Sequence, residues 1–434
     1  MPKKRVIILG AGLAGLSAAW HLRKKGCDCR VFEKESQVGG LCRSKQINGF
    51  TFDCDGHLLH FKSPYAFKLV KALLGDNLAE HQRNAWVYSQ GRFTRYPFQA
   101  NLYGLPPAVV KECLLGFIRA SRGSHCKDKK DVNFLRWMQQ TFGRGIARHF
   151  MVPYNNKFWT VPSEELTCEW LDGFIPVPLL EQVIQGARKE SRGQFGYNAR
   201  FWYPKRGGIN QVPLALAQEA RHIYTNCPVT EIDLAKKEIK IGPKTKERFD
   251  FLISTIPLPE IPNIINTLPN NVTHFFGKLR WNSIFNLNLG LEKNDGLRRH
   301  WVYYPEEKIC FFRIGFPHNF SSSVAPEGKG SMYIEVSYSQ NKRVDKNNIA
   351  ARVRKDLARA GMLTGFGRIC AEDVNDIKYG YPIYDINYHE ARARILKFLA
   401  RNNIYACGRY GSWRYMSMED VILQGKETAR LLTG

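Results

Sequence analysis

Three glycines, Gly10, Gly12 and Gly15, stand at a spacing that can wrap backbone around a pyrophosphate. The first permits a tight turn, the second lets the chain approach phosphate oxygens, and the third lets the next helix pack close to the preceding strand. Leu13 and Ala14 fill the turn and open that helix, whose free amides and dipole favour bound anions. Glu33, about 20 residues on, is placed to accept hydrogen bonds from a ribose diol, and an acid there argues against the 2′-phosphate of NADP. Lys34 joins it as a cofactor-binding residue. A second pair, Gly39-Gly40, followed by Arg43 and Ser44, suits a longer cofactor with chain beyond its pyrophosphate, which points to FAD rather than NAD. Near the C-terminus Cys407-Gly408-Arg409 follows an apolar strand, and Ser417-Met418-Glu419-Asp420 opens a helix. Together they repeat the pattern of amides aimed at an electron-rich ring edge.

Positioning these residues takes a strand, a turn and a helix in that order. Arg5–Leu9 reads as a buried strand, Leu13–Lys25 as a helix, and Cys29–Phe32 as a second strand ending at Glu33. Past residue 60 the periodicity is helical over Pro106–Arg119, Val132–Phe142 and Pro178–Lys189, with the basic stretch Arg122–Asp131 as an exposed loop. Strand patterns return in Pro228–Ile232, Glu238–Ile241 and Phe249–Thr255. Trp281–Leu291, Trp301–Arg313 and Met332–Ser339 then alternate as an antiparallel sheet would. A helix over Asn347–Ala360, a strand over Ile404–Cys407 and a helix over Glu419–Leu432 follow. The fold expected is α/β: a discontinuous Rossmann-type FAD-binding domain from 1–82, 203–280 and 372–434. Inserted in it are a helical substrate region, 83–202, and a substrate region of antiparallel sheet and helix, 281–371.

Composition narrows the class. A length of 434 residues suggests two or three domains, and 44% hydrophobic with 24% charged residues excludes a disordered chain. With 64 basic against 39 acidic residues the formal net charge is +25. Such an excess favours an anionic partner, but no nucleic-acid motif accompanies it, so no specific nucleic acid is expected. No apolar run reaches the roughly 20 residues of a membrane-spanning helix, so no integral membrane association is expected either. Lys3-Lys4-Arg5 before an apolar stretch imitates a signal peptide, yet cleavage would discard the glycine turn. The 11 cysteines are scattered, as in a reducing compartment, and the expectation is a cytoplasmic protein. His57 and His60 have His-x-x-His spacing without a further ligand cluster, and no metal is expected.

The spacing Glu33…Gly39-Gly40-x-x-Arg43, with Pro228-Val229-Thr230 and Ile253-Ser254-Thr255, resembles the FAD-binding amine-oxidase and protoporphyrinogen-oxidase group. That resemblance implies that Val229 offers its backbone to adenine. The middle and the end of the chain narrow it. Tyr96-Pro97-Phe98-Gln99-x-Asn101, Pro153-Tyr154-Asn155-x-Lys157-x-Trp159, Tyr203-Pro204-x-Arg206-Gly207-Gly208 and Gly408-Arg409-Tyr410-Gly411-Ser412-Trp413-Arg414-Tyr415 are similar to UDP-galactopyranose mutases, especially the eukaryotic branch. The resemblance implies non-covalent FAD, active when reduced. Its N5 attacks the anomeric carbon of a nucleotide sugar and expels the nucleoside diphosphate, and the ring opens and recloses in a flavin–sugar adduct. NAD(P)H is a candidate reductant, and an oligomer is left open.

Carried across residue by residue, the resemblance makes Arg313 the cation that holds the diphosphate and His57 the histidine on the loop beside the flavin, the two catalytic candidates. Tyr303, Tyr381 and Tyr415 would contact the same phosphates, and Tyr96, Gln99, Asn155 and Trp159 would bind the nucleotide sugar. One departure stands out. The family places a second diphosphate-binding arginine shortly after a Trp-Leu pair, and here Trp170-Leu171-Asp172-Gly173 is followed by Phe174. Three readings stay open. The first is a nucleotide-sugar mutase. The second is an oxidase or desaturase passing hydride to oxidised FAD, with Phe174, Phe311, Phe312 and Phe316 lining an apolar pocket. The third is a flavin-fold protein whose basic surface binds a polyanion.

Overall fold

All four residues of Val6–Leu9 are buried, as in a central parallel strand covered on both faces. In the computed structural model this strand pairs in parallel with Phe251–Ser254 on one side and Cys29–Phe32 on the other. The structure describes residues 4–123, 132–171, 173–191, 193, 195–196 and 198–433. Ile404–Ala406 and Ile223–Tyr224 add the two outer strands, so one parallel sheet gathers segments from distant parts of the chain. The helix Leu13–Lys24 packs along the C-terminal helix Met418–Thr433. Their closeness depends on Gly425, where an added Cβ would stand 2.7 Å from that of Ser17.

The second layer is a seven-stranded sheet centred on Trp281–Leu291, which pairs antiparallel with Gly330–Tyr338 and Ile369–Pro382. Alternation along this strand sorts its side chains. Phe285, Leu287, Leu289 and Leu291 join Val353 and Leu357 of the helix Ile349–Arg359 in a core of their own. Asn282, Asn286 and Asn288 are buried on the opposite face, Asn282 in register with Tyr381, Asn286 with Glu335 and Asn375, and Asn288 with Asp373. The stretch Trp301–Arg313, expected as one strand, is two short ones, Trp301–Tyr303 and Arg313–Gly315. Pro305 and the charged run after it cannot continue a ladder. The hairpin of Ala85–Ser89 and Arg92–Arg95 completes the sheet.

Helices Pro107–Arg122, Phe134–Ile146, Val152–Trp159 and Leu180–Arg188 form the remaining region. The first two approach backbone to backbone: a Cβ on Gly145 would stand 2.5 Å from the Glu112 carbonyl oxygen. The loop expected at Arg122–Asp131 lies, from residue 124 on, outside the described residues.

One contact beside the sheet makes the fold acid-sensitive. His300, 7% exposed, accepts the Asn84 amide at Nδ1 over 3.0 Å, which requires that nitrogen to be unprotonated. Burial, with His81 nearby, lowers its pKa from 6.5 to about 3. The unfolded chain therefore binds more protons between these values, and stability falls as pH falls through that window. Acidification from pH 6.5 to 4 should cost on the order of 3 kcal/mol through this residue. Urea unfolding at a series of pH values should show a flatter slope for His300→Gln than for the parent.

Candidate functional site

The turn after Val6–Leu9 is shaped so that a ligand can fill it. A Cβ on Gly12 would meet no neighbour closer than Gly40 Cα at 3.9 Å. Gly10 and Gly15 differ from it. At φ +95° a Cβ on Gly10 would stand 2.3 Å from Thr255 Oγ1, and one on Gly15 would stand 2.0 Å from the Gly10 carbonyl oxygen. Leu13 and Ala14 are buried at the helix start. Gly39, at φ +112°, bridges to Gly12 and donates its amide to the Ala11 carbonyl over 2.8 Å, so the two glycine pairs lie side by side. Glu33, 6% exposed, accepts the amides of Ala11 (2.7 Å) and Glu35 (2.9 Å). The Cys227 amide donates to the Glu33 carbonyl over 2.8 Å, which brings Val229 near the acid. Lys34 is exposed, 3.8 Å from Glu35, and Arg43 donates Nε to the Gly40 carbonyl over 2.9 Å.

The C-terminal segment closes the cradle from the other side. Gly408, at φ +83°, presses on the helix start so closely that a Cβ there would stand 2.5 Å from that of Ala14. Ser417 accepts the Asp420 amide at its hydroxyl (3.2 Å), and the Asp420 carboxylate accepts the Ser417 amide (2.8 Å). This reciprocal cap fixes the start of the helix at Met418. Bare backbone for a pyrophosphate, a buried acid for a diol and a closing C-terminal loop together fit an extended flavin dinucleotide.

Beyond the cradle, His57, Leu41, Tyr381, Arg409 and Tyr410 border a cavity. His57 faces the Asp55 carbonyl through Nδ1 at 3.2 Å, and burial lowers its pKa against the pull of Asp55. Arg409 donates Nε to the Met416 carbonyl over 2.9 Å and lies 5.2 Å from the Tyr381 ring centre. Tyr381 packs on Tyr415 at 5.4 Å, and Tyr303 contacts both Tyr96 (5.0 Å) and Tyr154 (5.3 Å). Burial raises the phenol pKa of Tyr96, Tyr154, Tyr381 and Tyr415, which keeps them neutral hydroxyls. Arg313 sits among them, close enough to act electrostatically on Tyr154, Tyr381 and Tyr415. The structure thus brings Arg313 and five tyrosines into one aromatic and polar wall.

Three expected contact residues lie in packed interior. Trp159 is fully buried, at 5.0 Å from Trp170 and 6.1 Å from Tyr381, and its indole N–H has no partner among the described residues. Gln99 donates Nε2 to the Pro176 carbonyl over 2.7 Å and leaves its buried Oε1 without a partner among the described residues. Asn155 donates to the Met151 carbonyl over 2.8 Å. The two orphaned atoms are of the kind that a ligand or ordered water satisfies.

Sequence reasoning missed two buried ionisable residues. Glu335 is completely buried and takes a pair of hydrogen bonds from Arg313, one of 2.6 Å from Nη2 and one from Nε. Burial pushes the Glu335 carboxyl up, against the attraction of Arg313. For Arg313, burial works against the charge and Glu335 outweighs it, so its pKa is raised well above the usual range. A glutamate between Ile334 and Val336 in an apolar strand was the signal available. The other is Lys157, 4% exposed, whose ammonium donates to the carbonyls of Tyr304 (2.7 Å), Glu306 (2.5 Å), Ile309 (2.8 Å) and Phe311 (3.3 Å). It ties down the loop between Tyr303 and Arg313. Lys157→Met should orphan these carbonyls and cost about 3–5 kcal/mol in urea unfolding, with Lys157→Arg unable to restore it because a planar fork cannot occupy the cage.

The apolar pocket expected from four phenylalanines is not assembled. Phe174 stands edge-on to Tyr415 at 4.8 Å, and Phe312 is buried against Phe158. Phe311 and Phe316, on either side of the short strand Arg313–Gly315, belong to the core under the helix Ile349–Arg359. Among the described residues no group of three or more His, Cys, Asp or Glu could hold a metal ion.

Comparison with known proteins agrees with this geometry. Over 379 residues, 77% of this chain and 72% of that protein, the sequence is 46% identical to a zeta-carotene-forming phytoene desaturase of Myxococcus xanthus. The crystal structure of a reduced UDP-galactopyranose mutase matches with a TM-score of 0.92 and 27% identity, over 100% of this chain and 94% of that one. Putrescine oxidase with bound putrescine, at 18% identity, shares the fold, with a TM-score of 0.67 over 99% and 98% of the two chains. The family model described as flavin containing amine oxidoreductase matches residues 13–433, a span that takes in most of the cradle, the tyrosine wall and both sheets. On that match the chain belongs to the flavin containing amine oxidoreductases.

Proposed function

We propose that this protein is a flavin-dependent mutase of a nucleoside-diphosphate sugar, with FAD held non-covalently and active when reduced. The observation that carries the reading is the clustering of Arg313 with Tyr303, Tyr381 and Tyr415, of which Tyr381 borders the cavity. Neutral phenols and a guanidinium fork suit phosphate oxygens, whereas a polyene gives them nothing to bond. The similarity in fold to a UDP-galactopyranose mutase supports the same reading. A reduced flavin supplies a nucleophile for the anomeric carbon. The chain's own residues would hold the departing diphosphate, keep it close for return, and exclude water from the cavity. Arg313, Tyr303, Tyr381 and Tyr415 would do the holding, with His57 on the loop at the cavity wall. Gly10, Gly12, Glu33, Gly39, Gly40, Val229, Gly408 and Arg409 would position the cofactor.

The 46% identity to a phytoene desaturase favours a second reading, hydride removal from an apolar substrate by oxidised FAD. No described helix is long and apolar enough to cross a membrane. The two readings differ in redox demand. The mutase should isomerise many substrate molecules per flavin after reduction by dithionite or NAD(P)H, with no stoichiometric oxygen uptake. Anaerobic incubation of reduced protein with UDP- and dTDP-sugars should give ring-contracted isomers. Bleaching of oxidised flavin by an apolar substrate in stopped flow, without added reductant, would establish the desaturase instead.

A further inference from the structure

We propose that Asp55 and Glu335 form a carboxyl pair that shares one proton, and that this proton sets the charge of the diphosphate subsite; the role rests on the nucleotide-sugar reading above. The two acids come from different parts of the fold and meet beside the cavity. Asp55 lies just after the strand Phe50–Asp53 and borders the cavity next to His57. Glu335, completely buried, stands midway along Gly330–Tyr338 in the seven-stranded sheet. Asn286 of the central strand joins them. It is in register with Glu335, on the same face, and donates Nδ2 to Asp55 Oδ1 over 3.3 Å. Asn288, two residues along that face, donates to the Asp53 carbonyl over 3.0 Å, so the chain leading to Asp55 is fastened to the sheet. Glu335 and Asp55 are hydrogen-bonded to each other, and a bond between two carboxyls needs a proton on one of them. Contact between two carboxyls away from bulk water keeps one proton in place where separate acids would lose theirs.

The shared proton acts through the cations beside it. Arg313 donates through two nitrogens to Glu335, and Arg409, bonded to the neutral Met416 carbonyl, keeps its full charge at the cavity wall. With one proton on the pair, one carboxylate charge stands against two guanidinium charges, and an anion is attracted. Without it, the charges cancel. A phosphate that draws the Arg313 fork from Glu335 brings negative charge to the pair and takes positive charge from it. Both changes raise the pair's affinity for a proton, so anion binding and protonation favour each other. The other groups facing the pair keep their charge state above neutrality. Glu335 faces Tyr333 on its own strand and Tyr154 on the helix Val152–Trp159, phenols that burial keeps neutral. Asp55 faces His57, whose ring burial also keeps neutral, and the buried phenols of Tyr381 and Tyr410. Burial pushes the adjoining Cys54 thiol up to about 12. Asp53 is raised by burial to about 6, against hydrogen bonds from Ser44, Tyr203 and the Ile209 amide, and is ionised at higher pH.

Two measurements on the flavin-loaded protein test the pair and its role separately. Infrared difference spectra between about pH 6 and pH 9 should show a protonated carboxyl in the parent that neither Asp55→Asn nor Glu335→Gln shows. Calorimetric titration of UDP gives the role. Asp55→Asn has the shape and charge of the protonated acid and keeps the oxygen that Asn286 reaches, so it holds the subsite in its cationic state at every pH. The ratio of UDP affinities, Asp55→Asn over parent, cancels the ionisation of the ligand itself. It should rise about tenfold from pH 7 to pH 9, because the parent loses the shared proton and the variant has none to lose. Titration in two buffers of unlike ionisation enthalpy should show more proton uptake on UDP binding by the parent than by Asp55→Asn. A constant ratio, or equal proton uptake, overturns the role of the pair and leaves the mutase reading standing. A carboxyl signal that survives in both variants overturns the pair. No UDP binding by the parent or by Asp55→Asn overturns the nucleotide-sugar reading, and the role with it, whatever the infrared spectra show.

Discussion

Gly12→Val should yield a folded, colourless protein. A Cβ at this position meets only Gly40 Cα, at 3.9 Å, so the protein has room for it, in the cradle a pyrophosphate would need. Flavin occupancy should drop about tenfold or more, read as visible absorbance against total protein, since steric exclusion of the pyrophosphate removes the anchor of the whole cofactor. Gly15→Val makes the comparison sharp. Its Cβ would collide with the Gly10 carbonyl oxygen at 2.0 Å, which forces strand and helix apart. That variant should be lost to aggregation or melt far below the parent. A yellow Gly12→Val protein would mean that the glycine turn does not hold the cofactor.

Removing Arg313 should have two consequences, separable only with its partner. Arg313→Ala leaves Glu335 buried without its counter-charge, a defect that costs about 3–5 kcal/mol in comparable buried pairs. The sequence alone suggests that this variant would lose nucleoside diphosphate and keep its flavin. Glu335 changes that expectation, because an unpaired carboxyl beside the cavity loosens the sheet that carries Tyr303 as well. Arg313→Met with Glu335→Gln keeps the volume and removes both charges, so it should recover most of the stability lost in Arg313→Ala. Against that background UDP affinity should still be about 10- to 100-fold below the parent, the value of one charge-assisted contact. Urea unfolding and UDP titration on the two variants give the two numbers separately.

The cofactor cradle was legible in the sequence for a physical reason. Gly10, Gly12, Gly15, Glu33, Gly39 and Gly40 act through local backbone geometry, and local geometry is written in short spacings. The tyrosine wall was legible only through its resemblance to a family. Tyr96, Tyr303, Tyr381 and Tyr415 come from separate elements, and nothing in their spacing says that they meet. Glu335 was not singled out, and Lys157 stood in a motif without a role. Each is explained by a partner found only after folding, Arg313 across one strand register and four carbonyls of a distant loop. The phenylalanine pocket misled because Phe311, Phe312 and Phe316 are near in sequence, while Phe312 packs into one core and Phe311 and Phe316 into another.

The parallel sheet has a bearing on how the protein is made. Its outer strand Ile404–Ala406 pairs with Phe251–Ser254, which pairs with Val6–Leu9, so the sheet cannot be completed until about nine-tenths of the chain has left the ribosome. The partner helix of Leu13–Lys24 is Met418–Thr433, later still. Contacts of such long sequence separation form slowly, because loop closure must precede any gain from pairing. The nascent N-terminal segment therefore waits with its Val-Ile-Ile-Leu strand exposed, the period in which chaperones have most to do. A flavin seated between Gly12 and the Gly408 loop would be captured only after both have been made, and its supply would set how much of the newly made chain survives.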